Sequence, residues 1–329
     1  LDTVGGGVEV AAKKVKVIQN KSFNFNVEYI CKDKSELFSL NALFKSIRSV
    51  YAIKPDILIL SLWRAQLVGI LVKMILPKTK LVFFVHSAQD AHILDYILSR
   101  ISLLLAWDIW GDSITSLNDR FRRSNRAKQG TVISFSPRII ERQEIKNVKP
   151  NFIFWGRVGK EKRVDRAVLI FSKILLFYPT ATFQIIGSDG GTLNQVKQLC
   201  IQLGINDSVT FHDEMDFDLI TKVANNVSFY LQTSLYEGAA MSVMESMKLG
   251  LVPIVTPVGE ISKYCDNSNS IIVLSDNEAV RDILITLKSQ DLYRTLSDNA
   301  AIKFQNQSTY EDSIKNACEK LVKKSRITL

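Results

Sequence analysis

Two glutamates, Glu237 and Glu245, stand eight positions apart around a run of small residues, Gly238-Ala239-Ala240-Met241-Ser242. The residues before them, 227–232, are β-branched or aromatic at several positions and read as a strand. Gly238 and its small neighbours let backbone approach a ligand closely, and 240–249 then read as a helix that Gly250 caps. Val252-Pro253-Ile254-Val255 opens the next strand. The free N–H groups and dipole at such a helix start suit an anion such as phosphate. Eight steps of about 100° return Glu245 to roughly the side of Glu237, about 12 Å along the axis. Two carboxylates so placed can hold hydroxyls at opposite ends of one elongated ligand, with a phosphate between them. The same spacing also fits a solvent-facing pair on an ordinary crossover helix.

A second stretch offers cations. The strand 151–155 runs into Gly156-Arg157-Val158-Gly159-Lys160-Glu161-Lys162-Arg163 and then a helix over 164–177. Glycines at a strand-to-helix turn, with Arg157 and Lys162 five apart, make a pyrophosphate clamp, the arginine by its planar fork and the lysine as a point charge. An exposed basic turn would read the same way. His86 directly follows the apolar run 80–85, at the carboxyl end of a strand, where open α/β sheets place ligands. A strand-end histidine that caps a loop is the plainer reading of the residue by itself. Near the start, Gly5-Gly6-Gly7 precedes a helix over 8–18 and could present backbone N–H groups to a phosphate or sugar, or form a simple glycine-rich tail. Asp216-Phe217-Asp218 is formally a metal–diphosphate signature, but it opens a helix over 219–224, which favours acidic capping; no metal is assigned. Hydroxyl, diphosphate and hydroxyl in a row is the layout of a nucleotide-sugar.

The elements that must position these residues alternate. Strands are read at 26–31, 55–60, 80–85 and 114–117, with helices over 37–51, 66–76 and 97–110. A polar, proline-bracketed segment over 137–150 reads as a linker. Beyond it the strands are 151–155, 181–187, 209–211, 227–232, 252–255 and 271–274, and helices at 279–287, 292–304 and 310–323 end the pattern. Near-continuous apolar strands between helices argue for parallel sheets covered on both faces.

Glu-x7-Glu followed by Leu-Gly-Leu-Val-Pro-Ile-Val-Thr-Pro-Val-Gly-Glu resembles the donor-site signature of glycosyltransferase family 4. Gly156-Arg157-x4-Lys162 before Val-Asp resembles that family's diphosphate-binding turn, and Gly187 at the end of 181–187 opens a loop similar to its Val-Gly-x-Gly turn. His86 and the loop holding Gly6 and Gly7 resemble its first-domain histidine and its Gly-Gly-x-Glu loop. The resemblance implies the GT-B fold: an α/β chain of two Rossmann-like domains with parallel sheets facing across a central cleft. It places an acceptor-side domain over 1–147, a donor-binding domain over 148–304 and a bracing C-terminal helix over 305–329. It implies retaining hexosyl transfer from a UDP- or GDP-sugar to a glycan or lipid-linked glycan hydroxyl, without a bound cofactor or metal. Glu237 and His86 would be catalytic. Arg157, Lys162, Gly238, Ala239, Ala240, Met241, Glu245, Gly6, Gly7 and Gly187 would bind the donor. Ala239-Ala240-Met241 departs from the frequent Phe-Gly-Leu after Glu-Gly, and only four residues precede the first glycines.

The chain has 329 residues and a net charge of +9, all of it in the first half, where 22 Lys and Arg face 13 Asp and Glu over 1–147. Such a half suits an anionic acceptor or an anionic membrane surface, and no nucleic-acid-binding motif accompanies the charge. A basic helix over 120–128 and an apolar helix over 97–110 with an aromatic edge are the segments concerned. Four scattered cysteines without metal spacing fit a reduced, cytoplasmic setting, and the resemblance implies a place in bacterial polysaccharide or lipopolysaccharide synthesis. A nucleotide-sugar epimerase on the same fold, a non-catalytic nucleotide-binding partner and a nucleic-acid binder are the other readings.

Overall fold

The apolar runs pair in parallel, as their burial on both faces requires. The computed structural model describes residues 17–31, 39–87, 90–134, 142, 147–304 and 308–327. The chain forms two compact units, Leu1–Phe135 with Ser308–Leu329, and Ser136–Gln307.

In the second unit β7 (Asn151–Trp155), β9 (Thr182–Ile186), β11 (Val209–His212), β12 (Phe229–Gln232), β13 (Val252–Val255) and β14 (Ile271–Ile272) form one parallel sheet of order β11-β9-β7-β12-β13-β14. From β7 the chain builds outward through β9 and β11, then crosses back to lay β12 on the other side of β7. Every residue of β12 and β13 is buried, which is why neither alternates polar with apolar. Phe152 stacks on Phe229 with ring centroids 5.3 Å apart, and Phe171 packs edge-on against Phe152 from the helix Val164–Leu175. Two short strands, β8 (Val158–Gly159) and β10 (Asp189–Gly190), pair in parallel and zip together the loops leaving β7 and β9.

In the first unit β3 (Ile57–Ser61), β4 (Lys80–Val85), β5 (Asp108–Gly111) and β6 (Thr131–Val132) form a parallel sheet in chain order. A separate hairpin joins β1 (Val17–Asn20) to β2 (Phe23–Asn26). The helix Tyr310–Ile327 belongs to this unit: Lys80 and Lys324 approach the Trp107 ring at 4.6 and 4.8 Å, and Lys324 also pairs with Asp108 at 2.8 Å. A cavity of about 1050 Å³ lies between β2, β3 and the helices Leu40–Ile53 and Tyr310–Ile327.

Several expectations for this unit need correction. The strand expected at 26–31 is instead β2, and Val17 and Ile18 lie in β1 rather than at a helix end. The helix expected over 97–110 is Ile93–Leu105, and Trp110 is a fully buried residue of β5. A long apolar run hides the break because Ala106 and Trp107 carry no turn signal. The segment expected as a strand at 114–117 begins the helix Ile114–Arg120, since the Ser113 hydroxyl accepts from Ser116 N at 3.0 Å. Arg120 is not on a solvated face. Its side chain is 5% exposed and ion-pairs with Asp90 at 2.9 Å and Asp95 at 2.7 Å.

Candidate active site

Because β7 and β12 are neighbours in register, the turns leaving their carboxyl ends lie side by side. Their connections leave the sheet where its strand order reverses, the place at which open α/β sheets bind ligands. Two backbone-level ties lock the turns together: Leu235 N donates to the Glu161 carbonyl at 2.8 Å, and the Thr233 hydroxyl donates to the Arg163 carbonyl at 2.7 Å. Sequence positions 162 and 237 thereby meet, and Lys162 Nζ lies 2.6 Å from Glu237 Oε1.

Glu237 is held from three directions. Besides Lys162, the Ser234 hydroxyl donates to Oε1 at 2.6 Å and Gln232 Nε2 at 2.8 Å. Its side chain is 8% exposed, so these donors replace solvent. Gln232 is fully buried, and its own Oε1 accepts from the Tyr230 hydroxyl at 2.5 Å and the Ser242 hydroxyl at 2.9 Å. Burial raises the Tyr230 pKa well above its usual value, so the phenol keeps its proton and donates. That fixes the amide: oxygen toward Tyr230 and Ser242, nitrogen toward Glu237. All three donors to Glu237 reach Oε1, and among the described residues none reaches Oε2.

The turn itself is strained into place. Ala240, the residue before the helix Met241–Lys248, has φ +54, an uncommon left-handed conformation for alanine. The Tyr264 hydroxyl donates to the Ala239 carbonyl at 3.0 Å, Glu260 N donates to the Gly238 carbonyl at 3.2 Å, and Gly259 crosses over Glu237 with φ +56. With Val243 N the first donor to the Ala240 carbonyl, the amides of Met241 and Ser242 are at the open helix start. Within that helix Glu245 Oε2 accepts from the Trp155 indole at 2.9 Å, which ties it to the end of β7.

Arg157 lies on the adjoining turn, 66% exposed, with Nη2 2.6 Å from Glu161 Oε1. Burial pushes the Glu161 carboxyl up, but its own backbone N–H and the Arg157 guanidinium outweigh this and leave its pKa lowered. Gly187 is where close approach decides the residue: at φ +151 a Cβ would sit 1.9 Å from the Gly156 carbonyl oxygen.

The structure therefore gathers Arg157, Lys162, Gly187, Glu237, Gly238, Ala239, Ala240, Met241 and Glu245 around adjoining strand ends of one unit. His86 belongs to the other unit. It follows β4, its Nε2 lies 2.5 Å from Ser61 Oγ, and burial, then the Arg120 charge, lowers its pKa to about 3, so the ring is neutral at physiological pH. Gly6 and Gly7 lie outside the described residues. Asp216 stands before the helix Phe217–Val223 without a side-chain capping bond, so the capping expected of it is not made. Among the described residues no cluster of His, Cys, Asp or Glu could hold a metal ion.

Sequence reasoning missed Gln232, Ser234 and Trp155 as supports of the two glutamates. Gln232 carried one readable signal, a polar side chain at the end of an otherwise apolar strand.

Comparison with known proteins fits this geometry. A family described as Glycosyl transferases group 1 matches residues 135–303, which are 169 of the 329. The chain belongs to this family. An uncharacterized glycosyltransferase of Methanocaldococcus jannaschii is 29% identical over 166 residues, 45% of this chain and 42% of the relative. The chain thus matches under half the length of that curated relative. Among solved structures, Anabaena HepE in complex with UDP and glucose superposes with a TM-score of 0.75 at 16% identity, over 90% of this chain and 86% of that one. Sucrose-phosphate synthase of Thermosynechococcus elongatus gives 0.73 at 16%, over 95% and 86%. The lipopolysaccharide outer core galactosyltransferase WaaB gives 0.67 at 17%, over 97% and 99%. At such identities the likeness is one of fold, and the fold of this glycosyltransferase is GT-B, with two Rossmann-like domains.

Proposed function

We propose that this glycosyltransferase, like the family 4 enzymes its motifs resemble, transfers a hexosyl group with retention from a UDP- or GDP-sugar to a hydroxyl of a glycan or lipid-linked glycan acceptor. The observation that carries the reading is the Lys162–Glu237 pair at the switch point of the second sheet, with Glu237 further held by the Gln232 amide and the Ser234 hydroxyl. The UDP and glucose in the HepE structure support the choice of donor class.

In this mechanism Glu237 uses Oε2 for hydroxyls of the transferred sugar, and its charge favours the cationic anomeric carbon. Lys162 and Arg157 neutralise negative charge growing on the departing diphosphate, together with the amides of Met241 and Ser242. Arg157 is exposed enough to exchange Glu161 for a phosphate oxygen. Glu245 holds the ribose diol. His86, neutral, positions the sugar by hydrogen bonding, and the leaving phosphate accepts the proton of the attacking hydroxyl. No step needs a metal or a resident cofactor. The setting is a cytoplasmic enzyme of surface polysaccharide or lipopolysaccharide synthesis.

The test is incubation of the purified protein with UDP-glucose, UDP-galactose, UDP-N-acetylglucosamine and GDP-mannose separately, with and without a lipid-glycan fraction. Acceptor-dependent release of UDP or GDP from one donor, lost in Glu237→Ala and Arg157→Ala, is the expected result. Isomerised donor without nucleotide release would make the protein an epimerase. No release and no thermal shift with any donor would sink the donor-site reading.

A further inference from the structure

The imidazole of His86 is held by the sheet that carries it. Ser61 ends β3 and pairs in register with Phe84 of β4, two residues before His86. Register partners and residues two apart share a face of a sheet, so Ser61, Phe84 and His86 stand together at its carboxyl end. There Ser61 Oγ meets Nε2 of His86 at 2.5 Å. The ring also leans on Phe84, with centroids 4.1 Å apart and planes tilted by 43°. Phe84 cannot yield, being 3% exposed and backed edge-on by the fully buried Trp110.

The turn that aims Ser61 is strained. Leu62, the next residue, has φ +70 and ψ 164, a region almost confined to glycine. Its surroundings leave it no alternative. Gln66 N donates to the Leu62 carbonyl at 3.2 Å, and the helix Trp63–Ile75 sits so close on β3 that a Cβ at Gly69 would lie 2.4 Å from Leu60 Cδ1. Strain of this kind persists where packing over-determines a position, and it clusters at functional sites. What it fixes here is the direction of the Ser61 hydroxyl.

A hydroxyl against an imidazole nitrogen is also the contact of a nucleophile with its base. Ser61 is 5% exposed, and burial keeps the ring neutral down to about pH 3, which makes it a poor base near neutrality. The pair is therefore built for orientation. A neutral imidazole has one donor nitrogen and one acceptor nitrogen, and the hydrogen bond made by one settles the role of the other.

We propose that Ser61 is a positioning residue for His86: its hydroxyl fixes the ring in one tautomer and one orientation, and so sets what His86 presents to the transferred sugar. The part of this concerning the sugar rests on the donor reading given above.

The experiment is a long-range proton–nitrogen correlation spectrum of the full chain at neutral pH, labelled with nitrogen-15 in its three histidines. His86 is assigned by the signals that His86→Gln removes. Wild type is expected to show a single tautomer, with one ring nitrogen protonated and the other not. Ser61→Ala should draw the two nitrogen shifts together as the tautomers mix, and Ser61→Thr, which keeps the hydroxyl, should restore them. Nucleotide release should follow the ring. In Ser61→Ala kcat falls about tenfold, the worth of one hydrogen bond, with the donor KM near wild type, and Ser61→Thr regains it. A packing defect alone would lower the melting temperature without moving the nitrogen shifts. Mixed tautomers in wild type, or shifts unchanged by Ser61→Ala, overturn the proposal, as does a mixed ring with undiminished kcat. A wild type that releases nucleotide from no donor fails the donor-site reading instead; the ring spectrum is taken without substrate and still decides whether Ser61 sets His86.

Discussion

Gly259→Ala is a substitution of one methyl group that should disable the enzyme from outside the donor pocket. A Cβ at this position would lie 2.0 Å from the Glu237 carbonyl oxygen and 2.8 Å from its carbonyl carbon. Real Cβ atoms essentially never come closer than 3.0 Å, so the two backbones must part by the difference, 1.0 Å. The Glu237 turn cannot follow freely, because Glu260 N to Gly238 O and the Tyr264 hydroxyl to Ala239 O pin it on both sides. A displacement of this size at a positioning residue costs about 10²-fold in turnover. Stability falls as well. Alanine at φ +56 costs about 1 kcal/mol and the overlap about 2 kcal/mol more, together a fall in melting temperature of roughly 6–12 °C. Gly204→Ala separates the two effects. Gly204 has φ +66 but nothing within 4 Å of its Cβ position, so it should lose about 1 kcal/mol, roughly 2–4 °C, and keep full turnover. Nucleotide release and a thermal melt on both variants make the comparison. Equal turnover in the two would refute the claim that Gly259 sets the position of Glu237.

Gln232→Leu removes the amide that bridges Tyr230, Ser242 and Glu237; it should cost about 1–3 kcal/mol and lower kcat more than it raises KM, as steady-state kinetics and a melt would show. Arg120→Met leaves Asp90 and Asp95 facing each other without their shared cation, and a loss of about 3 kcal/mol in urea unfolding of the first unit is expected. His86 gives a pH dependence. Its folded pKa of about 3 lies below the 6.5 of an open chain, so below pH 6.5 the unfolded state takes a proton that the folded state refuses. Its contribution is therefore whole above pH 6.5 and lost as pH falls from there toward 3, by up to about 1.4 kcal/mol per pH unit. Urea midpoints of His86→Phe should fall less steeply with acidification over that range than those of wild type; parallel curves would contradict the burial.

Where the sequence pattern was self-sufficient it could be read directly. The strands of the second sheet announce themselves because Phe152, Phe154, Phe229, Leu231, Ile254 and Val255 are buried on both faces, which demands runs of apolar residues that polar turns must interrupt. Residue type and spacing left Arg157, Lys162, Glu237 and Glu245 open between a ligand site and a solvated surface, and the resemblance to family 4 is what singled them out. The first sheet was less legible. An unbroken apolar stretch concealed the change from the helix Ile93–Leu105 to β5, and nothing local distinguished Arg120, buried between two aspartates, from the exposed Arg122 and Arg123 beside it. That the helix buries Asp95, Ser99 and Ser102 was not legible either, because the ion pairs of Arg120 with Asp90 and Asp95 join residues distant in sequence. The same physics governs the donor turn. Sequence supplied the charges, while the parallel register of β7 with β12 brought Lys162 to Glu237, and only packing around Tyr230 determined that the Gln232 amide would face them. Spacing along a chain specifies a local conformation; which side chains share a proton or a charge depends on contacts between residues tens of positions apart, and those exist only once the sheet has formed.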